Sequence, residues 1–194
     1  MTLNPLLLIR YCWIALGILW TVGLLFSKPT VRSQTPGTRA FHLLLAALGF
    51  ALLGSHWFEV GWMAQPFLPN TPLIHKASQA AGAALVFAGC AFAAWARIVL
   101  GANWSGAVTV KDRHELVTEG PYAVARHPIY TGLLAAVIGT ALVIAEWRAI
   151  VGALVIFLAF AAKISQEERL MLQEFPQAYA LYRQRVRALI PGVF

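Results

Sequence analysis

The chain has 194 residues, 59% of them hydrophobic and only 12% charged, with a mean hydropathy of +0.68. A soluble domain carries about twice that charged fraction, a chain this apolar does not stay disordered, and two cysteines make no disulfide scaffold. The net charge of +7 fits cytoplasmic loops and anionic lipid better than nucleic acid.

What remains is an all-α integral membrane protein with about five transmembrane helices, a cytoplasmic loop and a C-terminal helix. It reads as one domain over 1–194, with a two-helix part at 1–66 and a second part at 73–194. The first span covers 11–26, or starts as early as Leu6, and Ser27, Lys28 and Pro29 stop it. It has no basic leader and no small-residue cleavage site, so it reads as a retained helix rather than a signal peptide. Arg10 lies near its outer end and can snorkel. The second span covers 41–63, with His42, His56 and Glu59 near its ends, and a Pro-rich turn at 66–72 follows. The third, 75–100, is rich in Ala and Gly, as tightly packed membrane helices often are. The fourth and fifth, 129–145 and 149–162, form a short pair joined at Glu146-Trp147-Arg148. Spans this short need a thinned bilayer or ends in the headgroup layer.

With five spans, 12 of the 15 basic residues fall on one side, and only Arg10, Lys76 and Arg148 on the other. The positive-inside rule then puts the N-terminus outside and the C-terminus in the cytoplasm. Trp57, Trp62, Trp95, Trp104 and Trp147 lie near span ends, as an aromatic belt would place them.

Two polar stretches, 101–126 and 166–194, share the cytoplasmic side. Residues 103–132 read NWSGAVTVKDRHELVTEGPYAVARHPIYTG. Gly120-Pro121 marks a turn, and Pro128 suits the first turn of the fourth helix. Helix starts favour carboxylates and phosphates. The second cluster, KISQEERLMLQE at 163–174, puts Lys163 and Glu167 four apart on one helix face. The tail after it spaces Phe175, Tyr179, Tyr182 and Val186 three and four apart, as an amphipathic helix that packs on the protein or lies on the membrane.

The two clusters together resemble the isoprenylcysteine carboxyl methyltransferase family and the wider phospholipid methyltransferase-like group. The residues that carry the resemblance are LGANWS at 100–105, KDRHELVTEGPYAVARHPIYTG at 111–132, Glu167-Glu168, Glu174-Phe175, Tyr179 to Tyr182 and the terminal LIPGVF. The resemblance covers about half the chain, from Leu100 onward, and its order and spacing both match. It implies an S-adenosylmethionine cofactor, leaving as S-adenosylhomocysteine, in a cytoplasm-facing pocket without a Rossmann domain; the chain has no GxGxxG. It implies cofactor contacts at His114, Glu115, Leu116, Val117, Tyr122, His127, Pro128, Ile129, Tyr130 and Glu167. Glu167 and Lys163 are the implied catalytic residues. The family's substrate-positioning arginine, four residues before that glutamate, is Lys163 here, and a lysine cannot grip a carboxylate bidentately. The implied partner is a lipophilic or lipidated substrate in the membrane, its acceptor a carboxylate, with no nucleic acid and no metal.

Each site has a plainer reading. His127 could cap a helix, His114 could be solvated, Tyr122 and Tyr130 could anchor at the interface, and Lys163–Glu167 could be a structural ion pair. Cys12 and Cys90 read as packing residues. His42, His56 and His75 lack a metal-ligand pattern, and Arg183, Arg185 and Arg187 face lipid or solvent. A phospholipid amine acceptor would instead need a base, Glu167 or Glu168. Sterol reductases, which use NADPH, are similar in the C-terminal region. A small binding or transport protein is the non-enzyme reading, but a transporter would carry polar residues at mid-membrane.

Overall fold

The structure, a computed structural model, describes residues 4–26, 30–33, 36–69, 71–104, 109–111 and 116–190. Helix α1 spans Pro5–Leu24, α2 Pro36–Gly54, α3 Pro72–Leu100, α4 Pro121–Val124, α5 Pro128–Ile144, α6 Trp147–Glu174 and α7 Pro176–Arg185. The protein is an all-α integral membrane protein apart from one small ribbon. In that ribbon β1 (Thr30–Ser33) pairs antiparallel with β2 (Thr109–Lys111) and ties the α1–α2 connection to the loop after α3.

Local chemistry sets the helix starts. Asn4 caps α1 by accepting from the Leu6 amide at 3.0 Å, and Pro5 follows at the first helical position. Thr71 and Pro72 do the same for α3. Helices α1, α2, α3 and α6 are long and apolar enough to cross a membrane, while α5 is apolar but only 17 residues long.

Two expectations about spans are corrected. The second helix does not run to Met63 but ends at Gly54. Arg148 sets that end: its Nη1 donates to the carbonyls of Leu52, Leu53 and Ser55 at 3.3, 3.1 and 3.3 Å. Ser55 then caps a short 3-10 turn. The fifth helix is not short. It continues past Ala162 as a 28-residue α6, so Lys163 and Glu167 lie on one unbroken helix with the span.

Small residues build the helix contacts, because lipid offers no hydrophobic gain for bringing helices together. Helices α3 and α5 cross antiparallel with Gly82 against Gly139 and Gly89 against Gly132. A Cβ on any of the four would stand 2.5 or 2.6 Å from the facing carbonyl oxygen. Gly49 of α2 and Gly152 of α6 face each other similarly. Val86, Val137 and Ile156 are fully buried along these seams.

Buried arginines fix the two ends of the bundle. At one end Arg148 also pairs with Glu59 at 3.0 Å and with Glu146. At the other, Arg97 donates to the carbonyls of Gly23 and Gly101, each at 2.8 Å, and stacks on Trp104. Those carbonyls end α1 and α3, and a cation there also complements the helix dipoles. The start of α5 and the C-terminal end of α6 gather at this second end.

Candidate active site

The site begins with a reversal of the chain. Gly120 adopts φ 58°, a conformation glycine enters without strain, and the one-turn α4 follows. Tyr122 on α4 is buried with Ala96 and Ile129, and Val117, Leu100 and Trp104 pack against them. Its hydroxyl donates to the Ala96 carbonyl at 3.4 Å, and its own carbonyl accepts from Tyr182 at 2.6 Å. Burial pushes the Tyr122 and Tyr182 hydroxyls well above the ordinary tyrosine range, so both are donors at any physiological pH.

The tail divides in two. Helix α7 buries Tyr179 and Tyr182 against the protein, which settles that face as packing rather than membrane-lying. The segment after it docks on the start of α5: the amides of Arg126 and His127 donate to the carbonyls of Arg187 and Ala188 at 2.8 and 2.9 Å. Thr131 donates to the Leu189 carbonyl at 2.8 Å. Pro128, fully buried, has no amide to satisfy at this crowded junction.

The docked tail closes a charged cluster. Arg126 holds Glu168 Oε1 through Nε at 2.8 Å and Nη2 at 2.6 Å, while its Nη1 reaches the Val186 carbonyl. Arg183 approaches the other Glu168 oxygen at 3.4 Å. Arg183 is therefore tied to the cluster and does not simply face lipid or solvent. Next to it, Glu167 accepts from the Tyr130 hydroxyl at 2.6 Å. His127 stands between the two carboxylates, Nδ1 at 3.6 Å from Glu167 and Nε2 at 3.3 Å from Glu168. Burial alone would depress the His127 pKa, but bonds to Glu167 and Glu168 outweigh it and raise it above its ordinary value. Lys163 Nζ lies 4.0 Å from Glu167 and 5.6 Å from the centre of the Tyr130 ring, which packs on Phe160.

The fold thus brings together Lys163 and Glu167 of α6, Tyr130 of α5 and His127, the residue just before α5. Tyr122, Ile129 and Val117 form an apolar layer beside them, Leu116 is half-buried before it, and Pro128 is structural. His114 and Glu115 lie outside the described residues. Sequence reasoning missed Arg126 and Arg183 as partners of Glu168. The usable signal was the acidic pair itself, because adjacent carboxylates on a buried helix face need cations.

A carboxylate, an ammonium and an imidazole meeting at an aromatic wall suit a ligand that carries both charges on an apolar body.

The comparisons with known proteins fall on the same region. Residues 82–173 match the isoprenylcysteine carboxyl methyltransferase (ICMT) family. Protein-S-isoprenylcysteine O-methyltransferase B of Arabidopsis thaliana is 39% identical over 84 residues, 43% of this chain and 43% of that protein. The Tribolium castaneum protein-S-isoprenylcysteine O-methyltransferase is 31% identical over 142 residues, 72% of this chain and 50% of that protein. The solved structure of the eukaryotic intramembrane Ras methyltransferase ICMT is 27% identical, with a TM-score of 0.60, and the match covers 84% of this chain and 55% of that one. The chain spans about half the length of the relatives it matches, or less.

Proposed function

We propose that this chain, whose residues 82–173 match the isoprenylcysteine carboxyl methyltransferase family, transfers a methyl group from S-adenosylmethionine to the carboxylate of an isoprenylcysteine-like lipophilic substrate. The observation that carries this reading is the meeting of Lys163, Glu167, His127 and Tyr130 at the end of the α5–α6 pair.

S-Adenosylmethionine supplies a methyl group on a sulfonium sulfur, from which an oxygen lone pair can take it directly. Glu167 binds the cationic amino-acid end of the cofactor, and the Tyr130 hydroxyl and His127 ring hold that carboxylate in place. Lys163, one turn away, neutralises the acceptor carboxylate and brings it toward the site. A carboxylate acceptor is already deprotonated at neutral pH, so none of these side chains has to remove a proton. The enzyme's task is alignment, and alignment supplies much of such a rate. Glu168, held by Arg126 and Arg183, ties the docked tail to the site and keeps His127 from turning away.

The described basic residues support the proposed orientation, with this end of the bundle in the cytoplasm. Arg39, Arg97, Arg126, Lys163, Arg183 and Arg185 lie at this end, against Arg10, Lys76 and Arg148 at the other. The cofactor then enters from the cytoplasm and the lipid acceptor from the bilayer.

Calorimetry with S-adenosylmethionine on the purified chain tests the assignment. Glu167→Ala and His127→Ala should each weaken binding by about tenfold or more, the loss of one charge-assisted contact. Wild-type affinity in both variants would contradict the site.

A further inference from the structure

We propose that His42 is a second ligand of the acceptor carboxylate, acting across the α2–α6 seam with Lys163. The proposal rests on the methyl-transfer reading above. The seam is closed at Gly49 and Gly152, where an added Cβ would meet the opposite carbonyl oxygen at 3.0 and 2.8 Å. Toward the active-site end lies a cleft of about 80 Å³. Its apolar walls are Leu43 and Ala46 of α2 and Ala159 and Phe160 of α6. Its polar lining is Arg39, His42 and Lys163, with no acidic residue among the described lining. An apolar slot with only basic groups at one end suits an anion attached to a lipid chain.

His42 is the unusual member. It is only 6% exposed, and its Nδ1 is buried without a hydrogen-bond partner among the described residues. Buried polar atoms are nearly always paired, and this ring borders a cleft rather than close-packed carbon. It also lies within electrostatic reach of Lys163 and Glu167. The chemistry of Lys163 explains why a second group is needed. An ammonium is a point donor, whereas a guanidinium offers two parallel N–H groups to the two oxygens of a carboxylate. His42, from the facing helix, supplies the second point: one acceptor oxygen on Lys163 Nζ, the other on a ring N–H of His42. Arg39, one turn before His42 on α2, adds attraction at the mouth. Phe160, which packs on Tyr130, carries the cleft wall to the ring beside Glu167.

The test uses the full chain in detergent with an N-acylated S-prenylcysteine bearing a free carboxylate, and with its carboxamide. His42→Ala should raise the acceptor KM about tenfold or more, as loss of a hydrogen bond to a charge does. It should erase most of the preference for carboxylate over carboxamide in equilibrium binding. Affinity for S-adenosylmethionine should stay within about twofold, since His42 does not touch the cofactor's carboxylate anchor. His42→Gln, which keeps an N–H, should retain most of the preference, and His42→Phe should lose it; this pair decides if the alanine variant does not fold. Lys163→Arg should rescue His42→Ala, because one guanidinium then supplies both points. The proposal is overturned if His42→Ala keeps the wild-type acceptor KM and carboxylate preference. It is overturned equally if donor and acceptor affinity fall together, which marks a structural residue. If the wild-type chain methylates nothing, the reaction assignment fails, and the carboxylate-over-carboxamide binding preference still decides the role of His42.

Discussion

Gly132 lies one turn into α5, at one of its two close glycine contacts with α3. A Cβ there would stand 2.5 Å from the Gly89 carbonyl oxygen, 2.6 Å from the Ala93 amide nitrogen and 2.9 Å from the Ala93 Cβ. None of these atoms is the end of a flexible side chain, so none can rotate away. To restore ordinary contact the two helices must part by about 0.9 Å. Gly132→Ala should therefore cost about 1–3 kcal/mol, the usual price of overpacking a close contact. Set against the roughly 1 kcal/mol by which alanine is favoured over glycine within a helix, the net loss is up to about 2 kcal/mol. The same displacement moves Tyr130 and His127, now 2.6 and 3.6 Å from Glu167. A misplacement on the order of 1 Å can cost roughly a hundredfold in rate. The assay is thermal unfolding in detergent by circular dichroism, paired with methyl transfer. Gly17→Ala on α1, with no atom within 4 Å, is the control and should melt at or slightly above the wild-type temperature. If Gly132→Ala also melts there with full activity, close glycine packing does not position this site.

Three further outcomes follow from the same geometry. Arg126→Gln leaves Glu168 with only Arg183 and His127 and unfastens the tail at Val186; it should destabilise the chain by about 3 kcal/mol, the lower end for a broken buried pair, and make the segment after α7 sensitive to protease. The raised His127 pKa means that its ion pairs contribute fully below the ordinary value of 6.5 and are lost as pH rises through the raised value. The melting temperature of the ligand-free chain should fall over that rise, and His127→Asn should flatten the fall; an identical profile in the variant would show that another group titrates. Arg148→Met strips three carbonyls and Glu59 of their donor and should lower the melting temperature with little change in the acceptor KM, because it acts at the far end of the bundle.

The positions of the spans were legible in the sequence, because apolar length alone marks a helix that crosses lipid. Their ends were less so. The overlong second span failed because a hydropathy pattern does not register a capping arginine that comes from Arg148, far along the chain. The fifth span looked short because its apolar run ends at Ala162, yet the helix continues through Lys163, whose charge Glu167 and an aromatic face receive. Glycine on α3 was visible as a packing signal, but its matching glycines on α5 could be paired with it only once the crossing was known. In the site, Glu167, His127, Tyr130 and Lys163 were implied by the family resemblance, and spacing alone gave only the shared helix face of Lys163 and Glu167. Arg126 and Arg183 did not, since their roles depend on a tail that folds back over α5. His42 reads in sequence as a histidine near a span end. Only the cleft it shares with Lys163 gives it a task.

The central claim is that the Lys163–Glu167 face of α6 moves a methyl group to a lipid carboxylate. Radiolabelled S-adenosylmethionine incubated with the purified chain and an S-prenylcysteine with a free carboxylate tests it directly. The account predicts label in a base-labile ester of that acceptor, none in its carboxamide, and loss of incorporation in Glu167→Gln. Incorporation into the carboxamide, undiminished incorporation in Glu167→Gln, or no incorporation by the wild-type chain would contradict it.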